Sequence, residues 1–517
     1  MNNDEKVFTN DHDNDEKIFI KLKKHRPKKQ FSKKLIIILC LIFLVLVIVT
    51  GISSYNFGLN NGAKKAASAA LFDAPVKNDG YLKKFNKIYN VLNSQWYFSR
   101  TLKDPKQEII NNAIKGMLEK NGDEYTSYMT KEEYNSFTGS INQNFSGIGV
   151  VYVVIDGQPI IQRVLTNSPA AKAGVMAGDI INKVNNIDVS TKSSNELSNL
   201  VRGEKGSSVT IEFLRNNAIV TLNIVRDVIH ATADSRMIND NIGLLEINSF
   251  GEDTGNEVKN HLNSLLKSGA KKLIIDVRNN GGGFLDAVEE IASLFLASNQ
   301  IIIQQELVDG SITTSYSKGN VIKGFDQIVM LANKNSASSS EVLLAALNEN
   351  LNIPIFGQTT YGKGVAQTLL PFDDGSFLKY TYSQWLTPKG NKVNGVGIVP
   401  TYPVKLHPVF EQQLKLNTVD LKSLNIKEDS VSEVVTFVQY ALDYLGYSVD
   451  RFDGYFSTKT KESLVEFQKQ LKLTSDGVIS SKTVSTLLSR VMAQQYLNQD
   501  VYDLELKAAV KYLNNEK

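Results

Sequence analysis

Residues 333–367, NKNSASSSEVLLAALNENLNIPIFGQTTYGKGVAQ, decide how this chain is read. The apolar run Gln327-Ile-Val-Met-Leu-Ala leads into them as a strand. A turn of small residues follows, and a helical pattern opens at Ser339 with Val342, Leu343, Leu344 and Leu347 on its apolar positions. This places Ser338 at a helix mouth, where free backbone N–H groups and the positive end of the helix dipole stabilise an oxyanion or an ionised hydroxyl. After a second apolar run, Ile353-Pro-Ile-Phe, comes Tyr361-Gly-Lys-Gly, in which Lys363 lies between glycines that permit close backbone approach. Gln367 follows four residues later. In an extended segment the two side chains share one face, so the Gln367 amide would orient the Lys363 amine. Taken singly, the serines also read as a plain helix cap and Lys363 as a solvated turn lysine.

The two halves together, Ser336-Ala-Ser-Ser-Ser-Glu341 and Gly362-Lys-Gly-Val-Ala-Gln367, resemble the S-A-S-x-S-E and G-K-G-x-x-Q motifs of the carboxyl-terminal processing (tail-specific) serine proteases. The resemblance implies that Ser338 is the nucleophile, Lys363 the general base and Gln367 its support. Such a base must be partly neutral although a free lysine titrates near 10.4, and burial among apolar groups is what lowers it. The loop Arg278-Asn-Asn-Gly-Gly-Gly283 sits between a strand-like and a helical run but lacks the Lys-Ser/Thr of a phosphate-binding loop. By the resemblance it supplies an oxyanion amide. That role goes to Gly282, with Gly283 as the adjacent alternative and the Ser339 N–H as the second donor. At the closing strands this chain carries Gln384-Trp385 where the family differs, which bears on the lining of the substrate channel.

Working outward toward the amino terminus, residues 141–228 break into short β-branched runs separated by turns such as Asn185-Asn186, with helical insertions at Pro169-Ala-Ala-Lys-Ala-Gly and residues 194–200. This is similar to a PDZ domain. The resemblance makes Ser146, Gly147, Ile148 and Gly149 the peptide-binding loop, whose successive N–H groups cradle a terminal carboxylate while a strand edge accepts the peptide. It also makes Arg202, in Val201-Arg-Gly-Glu-Lys-Gly, a regulatory residue that meets Gln367 in the active enzyme. Residues 81–140 read as a helical region of the kind that mediates homodimerisation in the family.

Residues 35–54, Leu-Ile-Ile-Ile-Leu-Cys-Leu-Ile-Phe-Leu-Val-Leu-Val-Ile-Val and onward, have the length and apolarity of a transmembrane helix. The lysines of residues 1–34 keep that tail cytoplasmic and the remainder outside the cell membrane. A cleaved leader, with Ala-Ala-Ser-Ala-Ala at 66–70, is the alternative. Toward the carboxyl terminus, a connector at 406–428 precedes a visible duplication: Asp453-Gly-Tyr-Phe-Ser-Thr-Lys-Thr460 recurs as Asp476-Gly-Val-Ile-Ser-Ser-Lys-Thr483. The duplication implies two helix-turn units on one core; with Val438-Gln-Tyr-Ala-Leu-Asp-Tyr-Leu-Gly-Tyr before it and Phe467-Gln468 between, residues 429–492 resemble the three-helix peptidoglycan-binding domain, and 493–517 read as one more helix.

The expected fold class is multidomain α+β: cytoplasmic tail (1–34), single transmembrane helix (35–54), linker (55–80), helical N-terminal subdomain (81–140), PDZ β-module (141–228), α/β ClpP/crotonase-like protease core (229–405), linker, peptidoglycan-binding-like domain and terminal helix. With 517 residues, 42% hydrophobic and 21% charged, the composition is that of globular domains, and a net charge of +3 gives no case for nucleic acid. A single cysteine, Cys40, and five scattered histidines without H-E-x-x-H leave no metal site, and no cofactor is expected. The expected partners are protein substrates with exposed carboxyl termini, peptidoglycan, the membrane and a second copy of the chain. A non-enzymatic scaffold linking a PDZ ligand to the wall is the competing reading.

Overall fold

Lys272–Asp276 and Gln327–Ala332 are almost continuously apolar, the mark of strands buried on both faces. The computed structural model sets them side by side and parallel in the middle of a six-stranded sheet. The order across that sheet is Ala233–Met237, Ile242–Ile247, Lys272–Asp276, Gln327–Ala332, Ile355–Gly357 and Tyr402–Pro403, with only the first pair antiparallel. The structure is described for residues 80–142, 145–155, 157–216, 218–229, 231–416, 419–497 and 503–515.

Because side chains alternate along a strand, the sheet has two apolar faces that need different covers. Leu245, Ile247, Leu273, Ile275 and Met330 face the helices Thr254–Lys267, Leu285–Ser293 and Ser339–Leu351. Leu244, Ile274, Val329, Leu331 and Phe356 face the other way, against Leu506, Ala509 and Leu513 of the helix Leu504–Leu513. The terminal helix is thus the second cover of the catalytic sheet. It begins at 504, later than the expected 493, while the preceding helix runs Ser481–Leu497.

A second, antiparallel sheet carries Phe377–Leu386 paired with Val365–Pro371, with Ile301–Leu307 and with Ser127–Met129. That last strand interrupts a region whose sequence reads as helical throughout. The PDZ-like module is a sheet in the order Val150–Ile155, Gln158–Val164, Ile180–Val184, Ser208–Arg215, Ala218–Val225, closed over a core that includes Ile161, Ile181, Ile211 and Phe213. Arg163 joins it to the catalytic sheet through Glu246 and through Asp234 at 3.3 Å.

In the last module the helices Glu433–Tyr444, Thr458–Gln470 and Ser481–Leu497 share one core, and the duplication has a physical cause. Buried Gln439 accepts from Gly454 N–H at 3.0 Å and donates to Tyr455 O at 2.9 Å. Buried Gln468 accepts from Gly477 N–H at 3.0 Å and donates to Val478 O at 3.0 Å. Each Asp-Gly turn is held by one glutamine amide.

Residues 80–109 form a separate unit. Its helix Gly80–Ser94 buries none of its residues and exposes Tyr81, Phe85 and Ile88. The expected fold class needs one correction. Among the described residues no helix is long and apolar enough to cross a membrane, and the segment 35–54 expected to do so lies outside the described residues, as do Cys40 and the tail. The membrane helix is therefore dropped from the architecture.

Candidate active site

Four serines in the 336–340 turn differ in what their hydroxyls do. Ser336 Oγ donates to Val277 O at 2.8 Å, Ser339 Oγ to Gly283 O at 2.9 Å and Ser340 Oγ to Asn280 O at 2.8 Å. Three of the four thus bind this turn to the 277–283 loop. Ser338 does not, and it is half-buried at the amino end of Ser339–Leu351 with φ 56° and ψ −117°. A non-glycine residue held in that region is strained, and such strain persists only where the surroundings over-determine it. Gly282 stands directly behind: a Cβ there would lie 2.8 Å from Ser338 Cβ and 2.9 Å from Ala337 O, and φ is +105°. Only glycine suits both the conformation and the approach.

The loop is wired internally as well. Asn280 is buried, donates through Nδ2 to Ile247 O at 2.8 Å, and accepts the Gly282 N–H on Oδ1 at 2.9 Å. The amide expected from sequence to face the oxyanion is therefore engaged by Asn280.

Glu341, fully buried, is the residue whose role sequence reading missed. Its carboxylate accepts from Ser338 N–H at 2.8 Å, Thr360 Oγ1 at 2.5 Å, Gly362 N–H at 2.6 Å and Lys363 N–H at 2.9 Å. One side chain thereby mounts the serine turn and the lysine loop on a common support. The signal was available: glutamate three residues after a helix-capping serine returns to that serine's N–H in a capping box.

Lys363 is held by its backbone. Beyond the bond to Glu341, its carbonyl accepts from Trp385 Nε1 at 2.9 Å. Trp385 is almost fully buried, so it clamps the lysine loop from behind and does not line a channel. The Lys363 amine lies 4.5 Å from the centroid of the Tyr125 ring and makes no hydrogen bond to Ser338. Burial, and after it the Lys379 charge, lower its pKa, against the opposing pull of Asp123, Glu124 and Glu341. Tyr125 stays a neutral phenol, its pKa raised by hydrogen bonding to Glu124 and by burial. Asp123, Tyr125, Tyr361, Val365 and Thr381 line a cleft of about 420 Å³ beside the lysine.

Gln367 donates from Nε2 to Thr381 Oγ1 at 3.1 Å and is not bonded to the Lys363 amine. The strand register shifts between Ala366 and Gln367, so the simple alternation expected to align Gln367 with Lys363 is broken. Arg202 is exposed and ends the helix Ser194–Val201, with its N–H on Ser198 O at 2.9 Å.

In the Ser146–Gly149 loop, expected from sequence to receive a peptide terminus, the carbonyls of Ser146, Ile148 and Gly149 accept from the N–H groups of Gly203, Ala170 and Leu165. Gly149, at φ +78°, leaves only 2.4 Å between a built Cβ and Ser168 Cβ. Val150–Ile155 is an edge strand of its sheet. Tyr152 reaches from it to the helix Ser194–Val201, donating to Ser194 O at 2.8 Å and sharing a 3.0 Å bond with Ser198 Oγ. The helix Ser481–Leu497 packs along the same strand, and its Ser489 Oγ lies 3.4 Å from Val154 O.

The profile of Peptidase family S41 matches residues 241–404, a PDZ domain profile residues 146–225 and a peptidoglycan binding domain profile residues 431–487. The carboxy-terminal processing protease CtpA of Bacillus subtilis is 33% identical over 442 residues, covering 85% of this chain and 91% of its own. CtpB of the same organism is 32% identical, over 87% of this chain and 92% of its own. A CtpA-like serine protease of Staphylococcus haemolyticus is 33% identical over 78% and 79%. The chain belongs to peptidase family S41. It is a serine peptidase of the carboxy-terminal processing type with a PDZ domain and a peptidoglycan-binding domain, which removes the scaffold reading. The S41 profile spans five of the six strands of the catalytic sheet, the 277–283 loop, Ser338, Glu341, Lys363 and Gln367, so the serine turn and the lysine loop lie within the family's own segment.

Proposed function

We propose that this S41 peptidase cleaves peptide bonds with a Ser338–Lys363 dyad. The observation that carries the reading is Glu341, whose one carboxylate fixes the backbone N–H groups of both residues. Lys363, with its lowered pKa, takes the Ser338 Oγ proton as the oxygen bonds to the substrate carbonyl carbon. The amine leaving group receives that proton when the C–N bond breaks. Water, deprotonated by the same lysine, then opens the acyl-enzyme. Closing the dyad requires the amine to leave the Tyr125 ring, with Gln367 then free to orient it. Since Asn280 holds the Gly282 N–H, the amides of Gly283 and Ser339 are the donors we assign to the oxyanion.

Substrates are proteins with exposed carboxyl termini, whose terminal carboxylate enters the Ser146–Gly149 loop while the last residues pair with the edge strand Val150–Ile155. The peptidoglycan-binding domain supports action at the wall, outside the cytoplasm. The test is Ser338→Ala and Lys363→Ala, assayed on an unstructured protein with an apolar carboxyl terminus and products mapped by mass spectrometry. Each variant is expected to lose more than about 10³-fold in kcat while folding normally. Either one retaining a tenth of the parent activity would remove the dyad.

A further inference from the structure

Arg278 is the second residue of the 277–283 loop, and its guanidinium is surrounded by three carboxylates. Asp276 accepts from Nε at 3.0 Å and from Nη2 at 2.6 Å. The other two come from the far end of the chain. Asp503 takes Nη1 at 2.7 Å and Nη2 at 2.9 Å, and Glu505 takes Nη1 at 2.8 Å. Asp503 also caps the terminal helix by accepting Leu506 N–H at 2.9 Å. The same helix is seated at its other end, where Lys272 Nζ donates to Leu513 O, and along its length by Leu506, Ala509 and Leu513.

We propose that Asp503 and Glu505 are positioning residues of the peptidase, holding through Arg278 the loop that backs Ser338. This rests on the assignment of Ser338 as nucleophile. The line of contact is short: Arg278 precedes Asn279, which accepts from Asn333 and Asn335 amides at 2.9 Å. Asn280 follows, and its carbonyl takes Ala337 N–H at 3.0 Å. A guanidinium gripped by five carboxylate oxygens from two sides cannot rotate, because its fork is planar and each pair of bonds fixes the plane. Without the terminal helix only Asp276, its neighbour two residues back, would remain, and the loop would lose its outside reference. Geometry of this kind matters because small displacements at a reacting centre cost large factors in rate.

Glu505 has a distinct part. Its side chain is 5% exposed, and Oε1 is buried without a hydrogen-bond partner. Burial pushes its pKa up to about 7, with Asp503 and Asp276 pushing the same way and Arg278 opposing. Three carboxylates against one guanidinium leave excess negative charge in a dry site, which one proton on Glu505 reduces.

The experiment uses the full chain and three variants: Asp503→Ala with Glu505→Ala, Glu505→Gln alone, and Arg278→Lys. Active serines are counted with a fluorophosphonate label, and kcat is expressed per labelled site. The double variant and Arg278→Lys are expected to lose about tenfold in kcat per site with KM within twofold. Glu505→Gln, which keeps an oxygen acceptor for Arg278 but removes the charge, is expected to fall between the parent and the double variant. A purely structural clasp would lower the number of sites and leave each one unchanged. Parent kcat per site in the double variant, or in Arg278→Lys if the double variant fails to fold, overturns the inference. Labelling that persists in Ser338→Ala overturns the nucleophile assignment instead.

Discussion

The turn that carries Ser338 and the loop that carries Lys363 meet on Glu341, yet they are held in opposite ways. On the serine side every neighbouring hydroxyl is bonded to a carbonyl of the 277–283 loop, and the loop is packed so closely that Gly282 has no room for a methyl group. On the lysine side the backbone is fixed by Glu341 and Trp385, but the amine rests over Tyr125 and Gln367 is bonded to Thr381. The proposed nucleophile is built in advance, while the proposed base has a fixed root and an adjustable tip. Polar networks that are fully satisfied rigidify. A tip held by a ring face and a strand hydroxyl can be redirected by a substrate without unfolding anything.

Breaking the shared support gives the largest effect. Glu341→Ala leaves four donors without an acceptor in a closed site, and is expected to cost on the order of 3–5 kcal/mol in stability together with nearly all activity. Urea unfolding with a parallel peptidase assay checks it. A variant as stable as the parent would show that the two loops stand independently. Next comes Gly282→Ala, which attacks the serine side alone. The added methyl meets Ser338 Cβ and the Ala337 carbonyl, at a φ that disfavours any side chain. We expect kcat to fall about a hundredfold through displacement of the nucleophile and its amides, with the pH profile of the surviving activity unchanged because the lysine side is untouched. A displaced profile would mean that the two sides are not separable.

The same division separates what the sequence shows from what it hides. The serine side is local: a strand, a turn of small residues, a capping serine and a glutamate three positions on are all within fifteen residues, and short-range rules read them. Asp-Gly repeats at 453 and 476 are equally visible because each turn is closed by a nearby glutamine. The lysine side is assembled from a distance. Tyr125 and Asp123 reach Lys363 because Ser127–Met129 pairs with Phe377–Leu386, placing Ser127 opposite Lys379, some 250 residues away. No periodicity announces a three-residue strand between two helices. The partner of Gln367 in this conformation is hidden for a different reason: the register shift after Ala366 overrides strand alternation. The terminal helix was readable as a helix, but its place on the second face of the sheet was not, since an apolar stripe does not name its partner.

The smallest effect is also the one that discriminates best, because it tests the tip alone. In the proposed dyad the neutral amine of Lys363 is the working base, and it is populated above the lysine's pKa, so kcat/KM should rise with pH through that value. Burial and the Lys379 charge bring the pKa below the ordinary lysine range, while Asp123 holds it up. Lys379→Met takes away a like charge, favours the ammonium and moves the rising limb to higher pH. Asp123→Asn takes away an opposite charge, disfavours the ammonium and moves the limb to lower pH. Two substitutions, one in the loop before Ser127–Met129 and one on Phe377–Leu386, neither in the serine turn, should therefore displace one profile in opposite directions. Displacement in the same direction, or none, would mean that the limb belongs to another group, and the adjustable half of the site would have to be sought away from Lys363.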